Sequence, residues 1–480
     1  MEHMTDIAFA GSALNGAVPS AAALRVLEAL ETQGLEAWLV GGWVRDALMG
    51  VACHDIDVCC SGSWEQSAAA LRERDIDVVE SGTKFGGITA VVDGERIEVT
   101  AYRLDGFYSD GRHPEQVVRA SCVEEDLARR DFTVNAMAWH PQRGLLDLYD
   151  GRGDIERRVI RAVGEPRRRF EEDALRMLRA VRFACRLDFV IEEQTAKALA
   201  TCAPLLDQVA RERVGIELNG MLLTRHGGDA LLRYPELMCA AIPELAASRG
   251  FDQRTQYHAF DVYDHVARVL TVAGELSSSR IDGGDPTSPV SASLMWAALL
   301  HDIAKPDCFT VDENGRGHFY GHPERGAKVA RDIMRRFSCN NDLIRDACLL
   351  IRFHDEPMRP TRERLLYMMG NIAGEGVDTH RLMDELFDLK RADTLGKAPS
   401  CFYYVEDIEH MRAMTHELFE SGEAYSIKTL ALTGGDLIAA GMTPGPQIGA
   451  ALKRALEATM RGEVANERED LLAYAISSSC

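Results

Sequence analysis

The sequence predicts a multidomain protein, with a small α/β head at the N-terminus followed by all-α domains. Its 480 residues suit about three domains, at roughly 150 residues each. Up to about residue 150, short apolar runs alternate with Gly-rich turns and helical stretches. From Asp154 onward the pattern is helical and few convincing strands remain. Residues 1–20 read as a flexible tail and 21–150 as the head. Residues 151–250 read as a helical neck, 251–400 as a third domain and 401–480 as a helical tail.

In the head, LEAWLV (35–40) reads as a strand, Gly41-Gly42 as a turn and WVRDALMG (43–50) as a helix. DIDVCC (55–60) reads as the next strand and SWEQSAAALRERD (63–75) as a helix. GITAVV and RIEVTAYRL then pair around the turn DGE, giving a mostly antiparallel sheet. Further on, SSSRIDGGDPTSP (277–289) is expected to be a surface loop between helices.

A hydrophobic content of 46% is ample for packed cores, and no apolar run reaches the ~20 residues that cross a bilayer. The first twenty residues lack the basic start of a signal peptide. Twelve cysteines without a CxxC point to reduced thiols in a cytoplasm, against a disulfide framework or zinc ribbon. A net charge of −21 argues against nucleic acid as a partner of the whole surface. Its distribution argues the other way. Arg152 to Arg186 holds eleven Arg, no Lys and six acidic residues, a basic island of the residue type best suited to phosphates and bases.

Asp55 and Asp57 alternate on a strand and so share a face. Two carboxylates there repel unless a cation sits between them. They follow Gly41-Gly42, where glycine lets a phosphate approach the backbone and a helix N-terminus offers free N–H groups. Arg45, in the first turn, would add a charge-assisted hydrogen bond.

With these residues in place, the sequence resembles the class II tRNA nucleotidyltransferases, the CCA-adding enzymes of the DNA polymerase β-like superfamily. The resemblance spans about residues 35–245, through LVGGWVRDALMGVACHDIDV, DLARRDFTVNAMA, LLDLYDGRGDIERRVIR and EEDALRMLRAVRFACRLDF. It implies a polymerase β-like nucleotidyltransferase head that adds CCA to tRNA 3′ ends from CTP and ATP. Asp55 and Asp57 would be catalytic and hold Mg²⁺, and Gly42 and Arg45 would bind the triphosphate. Arg130, Asp131 and Asn135, with Arg129 beside them, would contact ribose and phosphates. Glu98 stands where such sites often carry a third carboxylate, and it reads equally well as an exposed strand residue.

EEDALRMLRAVRF is expected to be one helix whose charges Asp173, Arg176, Arg179 and Arg182 fall at three-residue steps, making Asp173 and Arg176 neighbours. Cytosine and adenine both present an amine beside an unprotonated ring nitrogen. A carboxylate and a guanidinium match that edge and meet the wrong groups on uracil and guanine. The resemblance agrees, since this stretch matches the family's amino-acid template.

In the third domain, His265, His301-Asp302, His322, His354 and Asp393 combine imidazoles and carboxylates in the manner of a transition-metal or mixed Mg²⁺/Mn²⁺ site. The order resembles the HD phosphohydrolase superfamily over about residues 255–400. It implies a second metal site, with Mn²⁺, Ni²⁺ or Mg²⁺, and phosphatase or phosphodiesterase chemistry. Poly(A) polymerases and enzymes adding only CC or only A share most of these motifs. Glu172-Asp173-x-x-Arg176 and the loop LDGFYSDGRHPEQV (104–117) favour full CCA addition. From another class, an HD phosphohydrolase with an RNA-binding head is the alternative. No segment points to a membrane or a protein partner.

Overall fold

The computed structural model describes residues 14, 17–53, 55–81, 83, 86–104, 118–279, 290–357 and 359–477. Most of the N-terminal tail, residues 105–117 of the loop at 104–117, and residues 280–289 of the loop at 277–289 lie outside them. The chain divides into two compact units, residues 1–221 with 234–241, and residues 222–233 with 242–480.

The strands of the first unit are β1 (Ala37–Val40), β2 (Asp57–Cys60), β3 (Asp77–Val79), β4 (Gly87–Val92) and β5 (Glu95–Ala101). They continue with β6 (Arg103–Leu104), β7 (Val118–Arg119), β8 (Met137–His140) and β9 (Gly144–Asp147). Seven form one sheet in the order β3-β4-β5-β2-β1-β8-β9, and β6 pairs with β7 in a separate ribbon. The sheet is antiparallel except between β2 and β5, which run parallel.

The two-residue period sorts side chains into two cores. Leu39, Val58 and Cys60 join the helices α1 (Ala21–Thr32), α2 (Gly42–Met49) and α3 (Trp64–Arg72). Trp38, Val40 and Cys59 pack on the other side with Val123 and Leu127 of α4 (Val123–Ala128). The adjacent cysteines thus enter different cores, and every described cysteine is free. Ser63 and Gln66 close a capping box at the start of α3, stopping the chain from continuing as strand.

Beyond α5 (Gly151–Arg157) the unit is mainly helical, with α6 (Pro166–Glu172) and α7 (Leu175–Leu187) leading. It still contains a short parallel pair, Val159–Ile160 with Val190–Ile191, so the neck is not wholly α. The single helix expected over 171–183 is divided at Asp173. That residue is extended (φ −147°, ψ 105°), and its carboxylate accepts a hydrogen bond from the Leu175 N–H (3.0 Å). A side chain that bonds nearby backbone competes with the helix ladder, and here it wins.

In the second unit, helices Val262–Ser279, Ala292–Leu300, His322–Arg336, Asn341–Phe353 and Thr379–Gly396 pack together. Residues 293–300 of Ala292–Leu300 are all buried, and the helix ends on His301. The tail helices close their own core around Leu432, Leu437, Ala455 and Leu471. No helix among the described residues is long and apolar enough to cross a membrane.

Candidate functional site

In the head, β1 ends at Gly41, whose φ of +72° is open to glycine. A Cβ there would also lie 2.9 Å from Nη1 of Arg130. Because β1 stops, β2 begins at Asp57, paired with Val40, and Asp55 lies just before it and not within the expected strand. The alternation persists: Asp55 and Asp57 are exposed and Ile56 is buried. The parallel register sets Asp57 directly across from Glu98, giving the third carboxylate a place beside the pair.

The Asp57 carboxyl is pushed up to about 6, by burial first and then by Glu98 and Asp55, with Arg130 opposing. It is reachable by solvent, yet it stands in a recess where protein atoms displace much of its water. Oxygen donors that repel one another suit a hard divalent cation such as Mg²⁺. A raised carboxyl pKa means that ionising Asp57 costs folded-state stability as pH rises from about 4 through 6, and fully above. In EDTA, Asp57→Asn is therefore expected to raise Tm at pH 8 by about 2–4 °C, the response to a solvent-weakened effect of roughly 1 kcal/mol. The gain should shrink toward pH 4.5. An equal gain at both pH values would place its cause outside this carboxyl.

Behind the carboxylates lies a chain of polar contacts. Arg45 is buried. Its Nε donates to Asp46 (2.8 Å) and its Nη1 to Oδ1 of Asn135 (2.6 Å). Asn135 in turn donates to Oδ1 of Asp131 (3.2 Å), whose Oδ2 accepts from Nε and Nη2 of Arg179 (2.9 and 2.7 Å). Burial would raise the Asp131 carboxyl, but Arg179 and Asn135 outweigh it and hold it below the usual range. Arg129 and Arg130 both pair with the wholly buried Asp126 (2.8 and 3.1 Å). The guanidinium groups of Arg45, Arg179 and Arg182 lie over the Phe183 ring at 5.4, 5.4 and 4.6 Å. Arg182 also binds Glu217 (2.5 Å). Asp126, Phe183 and Glu217 were not expected from the sequence, since each acquires its role from distant partners.

Asp173 and Arg176 have separate partners. The second oxygen of Asp173 meets Arg213 (3.3 Å). Arg176, buried, donates to Glu172 (2.9 Å) and to the carbonyls of Arg129 and Arg169 (3.0 and 3.2 Å).

In the second unit, all six expected ligands come together and all are buried. The Nδ1–H groups of His265, His301, His322 and His354 donate to the carbonyls of Gly396, Ala298, Phe319 and Ile351 (3.2, 2.9, 2.8 and 2.6 Å). A carbonyl can only accept, so this fixes the neutral tautomer and turns each Nε2 lone pair inward. Asp302 is shared. Its Oδ2 faces His265 and His301 (3.4 and 3.2 Å), and its Oδ1 faces His322 and His354 (3.4 and 3.6 Å). The sets His265/His301/Asp302 and Asp302/His322/His354 each gather their ligand atoms within 4.8 Å. Asp393 approaches from the first set, 3.1 Å from His265.

Neither buried oxygen of Asp302 has a hydrogen bond of acceptable geometry, though Nζ of Lys305 lies 2.7 Å away as an ion pair. Orphaned carboxylate oxygens ringed by inward imidazole lone pairs fit one cation on each side. Three further residues went unread in the sequence. Lys397 pairs with Asp393 (2.6 Å). The His258 ring meets His265 edge-on at 5.0 Å. Lys390, whose pKa burial pulls down to about 7, ties the carbonyls of His354 and Glu356 together (2.8 Å each).

Family models match the chain as poly A polymerase head domain (37–161), probable RNA and SrmB-binding site of polymerase A (188–248), HD domain (262–397) and tRNA nucleotidyltransferase domain 2 (390–475). A CCA-adding enzyme of Enterococcus faecalis is 30% identical over 451 residues, 94% of each chain. One from Leuconostoc mesenteroides is 29% identical over 453 residues, again 94% of each. The CCA-adding enzyme of Bacillus stearothermophilus, solved in complex with CTP, has a TM-score of 0.67 at 26% identity, covering 95% of this chain and 97% of that one. The Thermotoga maritima CCA-adding enzyme, solved with tRNA, shares the fold at a TM-score of 0.59 and 22% identity, covering 95% and 94%.

Proposed function

The chain belongs to the CCA-adding enzymes, and from that premise we propose that it builds CCA onto tRNA 3′ ends from CTP and ATP, in the cytoplasm, without a nucleic-acid template. The observation that carries this reading is the exposed pair Asp55 and Asp57 beside Glu98, directly after the turn at Gly41. Mg²⁺ held by Asp55 and Asp57 would make the 3′-hydroxyl a nucleophile near neutral pH and neutralise the departing pyrophosphate. The first turn of α2, from Gly42, offers N–H groups to phosphate oxygens. Arg45, expected at the triphosphate, is buried and donates to Asn135, so in this reading it is a positioning residue for Asn135 and Asp131, which would contact the ribose. Head, neck, HD domain and tail divide at about residues 150, 250 and 400. Incubation of tRNA lacking CCA with CTP, ATP or both, followed by sequencing, tests the proposal. Addition of C, C and A supports it, whereas only CC, only A or a run of A assigns one of the narrower activities.

Base choice rests on Asp173, a carboxylate accepting from the amine that cytosine and adenine share. Arg176 completes the pair once it exchanges Glu172 for a ring nitrogen. Asp173→Ala is expected to bring UTP and GTP incorporation within about tenfold of CTP, the order of one lost discriminating contact. Single-turnover rates with the four NTPs check it. A uniform fall with U and G still excluded would remove Asp173 from base reading.

A second activity is favoured by Asp302, whose two oxygens face two imidazole pairs. We propose a metal-dependent phosphohydrolase there, in which the two ligand sets that share Asp302 would hold Mn²⁺, Ni²⁺ or Mg²⁺. Bound cations would supply Lewis acidity and a nucleophilic water. The protein's own part is to hold four Nε2 lone pairs inward.

A further inference from the structure

Two cavities open onto the HD cluster and share Tyr257, His258, His354, Asp355, Asp393 and Lys397, so they form one recess. The larger, about 410 Å³, also shares Pro357 and Arg359 with an outer hollow of about 520 Å³ that extends to Arg364 and Tyr367. A groove therefore runs from the buried carboxylate Asp302 outward past Asp355, Pro357 and Arg359 to Arg364 and Tyr367. Pockets for a single small ligand span about 300–1,000 Å³. Either hollow alone would hold one nucleotide-sized group, and in series they exceed what a lone phosphate ester needs.

Beyond the cluster's own ligands, the groove is lined by rings, guanidinium groups and three carboxylates, Asp355, Glu356 and Glu363, of which Glu356 pairs with Arg364. Tyr257 lines the recess and is 38% exposed. Tyr404 lines its wall, with its ring centroid 4.1 Å from that of Tyr403, which is 61% exposed. At the outer end Tyr367 is 49% exposed, with the Arg364 guanidinium 5.4 Å over its ring. Between them Arg359 is exposed and forms no ion pair among the described residues. Among the described residues, the exposed large aromatics are Tyr257, Tyr320, Tyr367, Phe402 and Tyr403, all in the second unit. Isolated exposed rings mean little. Here Tyr257, Tyr320 and Tyr367 line the connected hollows, Tyr403 stands against Tyr404 in the wall, and Arg359 and Arg364 line the outer hollow with Tyr367. Rings stack on bases while guanidinium groups meet the phosphates between them, which is how proteins hold single strands without reading their sequence. A duplex cannot reach a cluster this deeply buried, but a strand end can.

We propose that this groove is a track for the end of a single-stranded oligonucleotide, delivering its terminal phosphate to the HD cluster for hydrolysis. The inference rests on the phosphohydrolase reading of that cluster. In the reaction a water oxygen bonds to phosphorus and the P–O bond to the terminal nucleoside breaks. The released oxygen takes a proton from the water, leaving a hydroxyl end and inorganic phosphate. The substrate class is thus a polymer end, distinguished from a free mononucleotide by the outer hollow.

The test uses the full chain with Mn²⁺ and oligoadenylates of one to four nucleotides, carrying the phosphate at the 3′ end in one arm and at the 5′ end in the other. In at least one arm kcat/KM is expected to rise about tenfold from one to three nucleotides, one stacked base's worth. Tyr367→Ser with Arg359→Ala should remove that gain through KM, without lowering kcat. Hydrolysis of p-nitrophenyl phosphate, which has neither base nor second phosphate, provides the normalisation. A flat length dependence in both arms, or a gain that survives the double variant, overturns the track.

If the wild type hydrolyses none of these compounds, p-nitrophenyl phosphate included, the phosphohydrolase reading fails by itself. Fluorescence anisotropy of a labelled tetra-adenylate with a terminal phosphorothioate then decides the groove separately. The head also binds strand ends, so the informative quantity is the part sensitive to Tyr367→Ser and Arg359→Ala. Affinity about tenfold weaker in that variant supports the track, and unchanged affinity overturns it.

Discussion

Asp57→Ala is expected to leave a folded protein whose incorporation of C and A falls at least about a thousandfold, and Asp55→Ala to behave the same way. The size follows from what the pair supplies. Stabilisation of transition-state charge by a bound metal is worth several kcal/mol, and each 1.36 kcal/mol is a factor of ten in rate. Folding should survive because both side chains are exposed, and Asp57 in its ionised form costs the fold stability. The loss should fall on kcat, with affinity for CTP nearly unchanged, since the N–H groups of the α2 N-terminus, which would hold the triphosphate, are untouched. Glu98→Ala should cost less, as a flanking carboxylate in the adjacent strand. Single-turnover incorporation with matched circular dichroism is the measurement. Near-normal rates in either Asp variant would move the metal site elsewhere in the head.

What was legible in the sequence was local. Gly41-Gly42, Asp55-x-Asp57 and His301-Asp302 each compress their geometry into a few residues, so spacing alone carries it. The two-residue alternation placed Asp55 and Asp57 on one side correctly, although the ladder begins only at Asp57 because β1 gives way to Gly41. The continuous helix through Asp173 was misread. EEDALRML has the composition of a helix, and only the bond from Leu175 N–H to the Asp173 carboxylate reveals a break. The two residues stay one turn apart, Arg176 N–H donating to the Asp173 carbonyl, while their side chains take different partners, Arg213 for Asp173 and Glu172 for Arg176.

Other roles were invisible for a different reason. Phe183 reads as an ordinary apolar helix residue until Arg45, about 140 positions earlier in the chain, stacks on it. Lys390 reads as a surface lysine, yet it is fully buried and ties down the end of the helix bearing His354. Such positions gain function from contacts that no short window of sequence contains.

Asp302→Asn is expected to empty the HD site of both metals while nucleotide addition continues. The substitution keeps size and shape, so the packing around a residue 1% exposed is preserved. It replaces a carboxylate oxygen on one side by an amide nitrogen, which cannot ligate, and removes the negative charge from both sides. The two sets of ligands share this residue and no other, so one change should cost two sites. His322→Gln, by contrast, touches only the set Asp302/His322/His354 and should cost one metal. Metal analysis of protein loaded with Mn²⁺ reads the stoichiometry directly: two per chain for the wild type, one for His322→Gln, and none for Asp302→Asn. Hydrolysis of p-nitrophenyl phosphate should fall by about three orders of magnitude in Asp302→Asn, as charge stabilisation by the metals is lost. CCA addition should persist, because the cation for that reaction would be held by Asp55 and Asp57 in the head. Two metals retained in Asp302→Asn would show that its carboxylate does not bridge. Loss of CCA addition along with the metals would instead make this cluster a structural support for the tRNA-binding body.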